Sequence, residues 1–416
     1  MSGHRSTADI TARNRFRGNR LGGDGPAVAT AVVEGRTVAV GFDDGTTSAF
    51  HHQWLRHCCW CKTCGDPSDG IRFTTVATVD PAEVPADVMA VDGDLVVDWP
   101  SGHRSTYGGD WLAHHAYDGA SRTRRASWRP VLWRADVTND FPTAAWADVR
   151  PAGGSPEALL AAYRLLRDFG ILRIAGLGTE PSATEALADL LGPIHETTVY
   201  GRIYDVRAEP VAKLGAKTGM PQAPHIDDAF AYSQPGIDVF HCLVNTDEGG
   251  LSTYVDGFAV AEAIRDEVPA AFDLLATVPV SHVRRHPGEL EMRNRAPLVS
   301  LDGARRLQGI RYFDRALAPM DVDAELVEPM YDAVREFDRR MRSEEFRAEL
   351  RVAPGDGMLI DNHRVLHGRT AFDPASGRHI RLCHVPRDEF HGRLRDLAGR
   401  LGANDHGWYL PQGSRV

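Results

Sequence analysis

Long apolar runs are missing from the 416-residue chain; none reaches the roughly 18 residues that a membrane-spanning helix needs. The N-terminus also lacks the apolar centre of a secretory signal. Its first 20 residues carry Arg5, Arg13, Arg15, Arg17 and Arg20 against the single acid Asp9, so residues 1–26 read as a polar disordered tail rather than an arginine-rich transit peptide. Positive charge is in deficit: 47 Lys+Arg against 57 Asp+Glu leave a formal net charge of −10. That balance argues against nucleic acid or an anionic membrane surface as partner. Cysteine is scarce and uneven. Of six, Cys58, Cys59, Cys61 and Cys64 crowd together while Cys242 and Cys383 stand alone. A disulfide framework would spread its cysteines, so the chain reads as a reduced, cytoplasmic protein with one thiolate-rich site. There is no internal repeat. The remaining composition, 43% apolar and 25% charged, is that of a globular chain of two or three domains.

Val-rich runs at 28–33 and 37–42, broken by Glu34-Gly35 and Asp43-Asp44-Gly45, predict strands, with more at 71–76 and 95–99. These make a small β-rich domain over 27–117, followed by a Trp- and Arg-rich connector over 118–150. Ser155 and Pro156 then open a helix with Leu159, Leu160, Tyr163 and Leu166 on one face, and Gly170 stops it. A strand at 171–174, a helix ending at Leu191, a helical stretch over 257–276 and a long amphipathic helix over 324–350 follow. Between and after them lie short strands, the last near 298–301, 309–312, 358–361, 365–372 and 379–385. The pattern is α+β, built around a β-sandwich or jelly roll spanning 151–416.

Cys59-x-Cys61-x-x-Cys64 supplies three soft ligands, and a tetrahedral zinc site wants four. His103, in the turn after a strand, is the best fourth, with Cys58 or His57 as substitutes for one of the set. Such a site is closed and therefore structural. The surroundings of Cys61-x-x-Cys64 are not those of a redox dithiol. Farther along, His225-x-Asp227 puts two ligands on one face of a strand, and either His363 or His367 can complete two histidines and one carboxylate. That facial triad marks a non-haem Fe(II) oxygenase. Arg378 and Arg381 follow, cations suited to a dicarboxylate cosubstrate.

Together with Trp54-Leu55-Arg56, Trp99-Pro100-x-x-His103, Tyr200-Gly201, Val255-Asp256-Gly257-Phe258, Asp361-Asn362 and Leu366-His367-Gly368-Arg369, these motifs resemble the taurine-dioxygenase-like Fe(II)/2-oxoglutarate oxygenases. More narrowly, they resemble the γ-butyrobetaine and trimethyllysine dioxygenases, from about Val32 to Arg400. The resemblance implies a double-stranded β-helix catalytic domain, a zinc-binding N-terminal domain on Cys59, Cys61, Cys64 and His103, and a homodimer. It implies iron on His225, Asp227 and His367, and 2-oxoglutarate held by Arg378, with Arg381, Ser252 and Phe240 as further contacts. Oxidative decarboxylation with O₂ would then drive hydroxylation of a small molecule. A carboxylate in the triad speaks against halogenation. Tyr200 and Tyr204 fall on positions of the family's aromatic cage, but Lys217, Asp228 and His384 stand where aromatics are usual. That departure points to a small acid, phosphonate or amino-acid-like compound, with γ-butyrobetaine as the alternative. A zinc-stabilised binding module without catalysis, or a cupin-like hydrolase, would leave the intact triad with Arg378 unexplained.

Overall fold

The computed structural model describes residues 18–20, 25–66, 70–197, 200–207, 218–245, 248–286 and 290–403. The expected N-terminal tail falls mostly outside them. The chain forms two compact units that divide between Trp128 and Arg129.

The first unit holds two antiparallel three-stranded sheets. One is β1 (Val28–Glu34), β2 (Thr37–Phe42) and β3 (Thr47–His51), followed by helix α1 (His52–His57). After the small ladder of β4 (Gly65–Asp66) with β5 (Ile71–Arg72), the second sheet is β6 (Asp87–Val91), β7 (Asp94–Asp98) and β8 (Arg104–Gly108). Helices α2 (Gly109–His115) and α3 (Gly119–Arg125) close it. Alternation along β2 and β7 sends Val38, Val40, Leu95 and Val97 into one core with Phe50, Leu55, Trp99 and Tyr107. The predicted strand at 71–76 is cut to two residues and passes into a 3₁₀ turn at Val76–Thr78.

The second unit begins inside the expected connector, which is therefore divided between the units rather than free. Trp133 is buried and its indole Nε1 donates to Phe169 O at 2.8 Å. Here β9 (Thr143–Ala145) and α4 (Trp146–Val149) precede α5 (Pro156–Phe169), which is capped by the Ser155 hydroxyl and ended by Gly170 as the sequence predicts. Then come β10 (Ile171–Ala175), α6 (Ala183–Leu191), β11 (Tyr204–Arg207), β12 (Gln222–His225), β13 (Ile237–Val244) and β14 (Ser252–Asp256). The helical stretch at 257–276 is two helices, α7 (Gly257–Glu267) and α8 (Pro269–Thr277), because Pro269 cannot continue the first ladder. Hairpin β15 (Val280–His286) and β16 (Leu290–Ala296) and the pair β17 (Val299–Leu301) and β18 (Leu307–Ile310) precede α9 (Val327–Met341). The predicted helix over 324–350 is shorter, since 348–350 is β19 (Ala348–Leu350). The chain ends with β20 (Gly357–Asp361), β21 (Val365–Arg369), β22 (His379–Val385) and α10 (Arg387–Arg400).

Two sheets make the jelly roll, a six-stranded one in the order β11-β22-β13-β20-β10-β9 and a four-stranded one, β12-β21-β14-β19. Ile171, Cys242, Met358, Ile360 and Ile380 from the first share a core cluster with Tyr254, Ala348 and Val365 from the second. Helices α7, α8 and α9 pack a second core around Phe258, Phe272 and Phe337. No helix of the described residues is long and apolar enough to cross a membrane.

Burial depresses three histidines of this unit: His282 and His363 to about 4, and His391 to about 3. Each is neutral when folded but protonates near pH 6.5 when unfolded. Their stabilisation is complete above pH 6.5 and is lost as pH falls toward 4. Denaturant melts should therefore weaken steadily from pH 7 to pH 5. Neither ring nitrogen of His282 has a hydrogen-bond partner among the described residues, so His282→Leu should flatten that slope by removing a contribution of roughly 3 kcal/mol.

Candidate metal centres and the cavity between the sheets

Strand register builds the first site. His225 on β12 lies directly opposite His367 on β21, and His367 is in turn opposite Tyr254 on β14. Cross-strand neighbours share a face, so the two imidazoles meet, with ring centroids 4.6 Å apart. Gly368 permits this pairing: a Cβ there would stand 2.5 Å from Gln222 O. Asp227 lies just past β12, held by Asn362, whose Oδ1 accepts from Asp227 N at 2.8 Å while its Nδ2 donates to Asp227 O at 3.0 Å. Asp227 Oδ1 then sits 3.3 Å from His225 Nε2 and 3.7 Å from His367 Nε2. Ligand atoms about 2.1 Å from one ion in a facial array stand about 3 Å apart, so the donor set fits a single cation. His225 Nδ1 faces Ala223 O at 3.0 Å, which fixes the tautomer and leaves Nε2 its lone pair. Burial lowers His367 to about 3, keeping it neutral, while against the cost of burial His367 and His225 hold the Asp227 carboxyl well below the ordinary range. His363, the other histidine in the sequence motif, is on the far side of that turn, where its backbone N–H donates to Asp361.

The triad lines a cavity of about 160 Å³ between the sheets, with Tyr200, Tyr204, Asp228, Phe240, Ser252, Arg378 and His384 also on its walls. Lys217 lies outside the described residues. Arg378 is buried, its guanidinium 5.2 Å from the Phe372 ring centroid, and its Nε has no hydrogen-bond partner among the described residues. A desolvated guanidinium with an idle donor is what a carboxylate ligand would satisfy. Arg381 requires correction. Alternation along β22 turns Ile380, Leu382 and His384 to the cavity and Arg381 to the opposite face, where it donates to Pro181 O and lies 3.6 Å from Glu185 and 3.4 Å from Asp205. It belongs to no cosubstrate set. Sequence reasoning missed two residues here. Asn362 shapes the loop carrying Asp227. Asp238, fully buried on β13, accepts from His384 at 2.8 Å and faces His367 Nδ1 at 3.6 Å. Burial raises Asp238, and against its own burial His384 is raised by Asp238 in turn, so the two form a hydrogen-bonded pair at the cavity wall. Only an acid alternating into the core of β13 could have signalled Asp238.

In the first unit, His103 Nε2 stands 3.4, 3.8 and 3.6 Å from Sγ of Cys59, Cys61 and Cys64. A tetrahedron with Zn–S near 2.3 Å and Zn–N near 2.05 Å has S···N edges of about 3.6 Å, so these donors fit zinc. The Trp99–His103 turn after β7 delivers the imidazole, which burial keeps neutral. Cys58 and His57 are not in the cluster; His57 instead faces Arg72.

The profile described as taurine catabolism dioxygenase TauD, TfdA family, matches residues 142–384, more than half of the chain. The chain belongs to that family. A second profile, gamma-butyrobetaine hydroxylase-like, N-terminal, matches residues 30–113. Gamma-butyrobetaine dioxygenase of Pseudomonas sp. (strain AK-1) is 37% identical over 369 residues, covering 88% of this chain and 95% of the relative. Mitochondrial trimethyllysine dioxygenase of Bos taurus is 30% identical over 357 residues, covering 84% and 82%. Among solved structures, a taurine dioxygenase from Burkholderia xenovorans aligns with a TM-score of 0.46 at 14% identity, over 62% of this chain and 89% of that one. The chain is thus an Fe(II)- and 2-oxoglutarate-dependent dioxygenase hydroxylating a small substrate.

Arg378 and Arg381 should separate in 2-oxoglutarate titrations of the dioxygenase. Arg378→Ala should raise the concentration needed for half-saturation by about 30- to 800-fold, equivalent to ~2–4 kcal/mol. Arg381→Ala should leave it within a few-fold. Equal effects would return Arg381 to the cosubstrate site.

Proposed function

We propose that the dioxygenase hydroxylates an aliphatic C–H bond of a small polar acid, with iron on His225, Asp227 and His367 and the distal carboxylate of 2-oxoglutarate on Arg378. The observation carrying this reading is the β12–β21 register that sets the two histidines and Asp227 beside a buried guanidinium with an idle donor. Bound iron with 2-oxoglutarate would supply the O₂-activating chemistry that no side chain provides. The chain's own residues fix ligand geometry and exclude water: His225 is oriented by Ala223 O, Asp227 by Asn362, and Phe240, Met358 and Leu382 dry the cavity. Ser252, paired in register with Arg369, and Phe240, which lines the same cavity, serve in this reading as further cosubstrate contacts.

The substrate end departs from an aromatic box. Tyr200 and Tyr204 pack edge to face at 5.2 Å, but Asp228, His384 and the Arg284 guanidinium complete the wall. A cation in the wall disfavours a quaternary ammonium and favours an acid, amino-acid-like or phosphonate compound. A second reading, γ-butyrobetaine hydroxylation, is favoured by the 37% identity to the Pseudomonas enzyme along 95% of its length. In the N-terminal unit, Cys59, Cys61, Cys64 and His103 hold a structural zinc, and the family likeness extends the proposal to a cytoplasmic homodimer.

Elemental analysis of protein purified without chelator should find one zinc per chain that survives mild chelation and one iron that leaves. Absence of zinc would overturn the structural site. Asp227→Ala should abolish succinate formation while circular-dichroism melts stay within a few degrees of wild type. Cys61→Ser should instead lower or abolish the melting transition, because metal-linked folding free energy is lost.

A further inference from the structure

The cavity contains a second set of opposite charges that neither the metal nor the cosubstrate uses. Arg284 is on β15, in a two-stranded hairpin separate from both main sheets, yet its side chain lines the cavity with Tyr200 and Asp228. Its Nε is buried and has no hydrogen-bond partner among the described residues. Asp228 is 8% exposed, lines the same wall and is held at φ 49°. A left-handed backbone is uncommon for a residue other than glycine, and such strain is retained where the position of a side chain matters. Arg284 and Asp228 lie within electrostatic reach of one another, and Tyr200 feels both.

The cosubstrate end has its own cations. Arg378 neighbours Cys242 and Tyr254, and Arg369 neighbours Arg378 and Arg315. Arg284 instead lines the cavity with Tyr200 and Asp228 and acts electrostatically on both. A guanidinium with a buried, idle Nε and a buried carboxylate that line one cavity without pairing are costly unless a ligand satisfies both. One small class of molecule carries the complementary charges on adjacent atoms. The head group of a free amino acid offers a carboxylate for a guanidinium fork and a primary ammonium with three donors for a carboxylate acceptor. A trimethylammonium has no donor for Asp228, and a simple acid leaves Asp228 unmatched.

We propose that Arg284 and Asp228 are the specificity-determining pair of this dioxygenase, clamping the zwitterionic head of a free α-amino acid whose side chain is presented to the triad. The inference rests on the oxygenase reading of the cavity and narrows its substrate class. The test uses the full chain, anaerobic and loaded with Fe(II) and 2-oxoglutarate, which together give a visible charge-transfer band. The common L-amino acids are titrated against that band, then assayed for succinate release in air beside γ-butyrobetaine and the N-trimethyl form of each hit. At least one amino acid should perturb the band and exceed both betaines in kcat/KM by tenfold or more. Arg284→Gln should raise its KM by about 10- to 100-fold with a much smaller change in kcat, as expected for a lost charge-assisted contact, and Arg284→Lys should recover part of the loss. Asp228→Asn should shrink the preference for the primary ammonium over its trimethyl form. Failure of any band to form would sink the oxygenase reading and this inference with it. An intact band that no amino acid perturbs, or an Arg284→Gln variant that weakens amino acid and betaine alike, would overturn the inference alone.

Discussion

The ion pair between Arg364 and Asp256 fixes the frame on which the catalytic unit depends. Arg364 Nε and Nη2 donate to the two oxygens of Asp256 at 3.0 and 2.7 Å, and its remaining donors reach Asp168 O and Val131 O. Asp256 also accepts from Trp133 N and Phe258 N. Both side chains are essentially sealed from solvent. Removing one member of such a pair strands the other, at a cost of about 3–5 kcal/mol. The geometry explains its place: Asp256 ends β14 and Arg364 precedes β21, so the pair locks the two strands in the register that sets Tyr254 opposite His367. A slip of one residue would turn His367 out of the cavity. Gly170 belongs to the same joint. At φ 71° it ends α5, and a Cβ there would stand 2.8 Å from Arg364 Cδ.

Once the register is set, electrostatics divides the cavity. One end is cationic, with Arg378 and Arg369 against Phe372. The other mixes Asp227, Asp228 and Asp238 with His384 and Arg284. Low dielectric makes each of these charges expensive alone and strongly coupled to its neighbours. The two ends therefore differ in charge, as an oxygenase that holds both a cosubstrate and a substrate requires.

Legibility in the sequence followed the range of the interaction. Caps and breakers were local, so α5 began at Ser155-Pro156 and stopped at Gly170 as expected. Both metal sets were legible because soft or paired ligands at fixed spacing are chemically specific. Elements defined by their partners were not. The run over 324–350 kept helical periodicity past Met341, yet Ala348–Leu350 pairs with β14. Arg381 looked equivalent to Arg378 three residues earlier, until β22 turned alternate side chains to opposite faces.

By itself, the sequence determined the family, the α+β class, the triad and the cysteine cluster, because each is written in residue types at short or recurrent spacing. Tertiary structure decided orientation: it brings His225, Asp227 and His367 together, turns Arg381 away from the cavity, and puts Asp238, Asn362 and Arg284 around them. The physical reason is that ligand chemistry is carried by side-chain identity, whereas orientation is set by cross-strand register. Register depends on contacts such as Arg364 with Asp256, which close across 108 residues of chain.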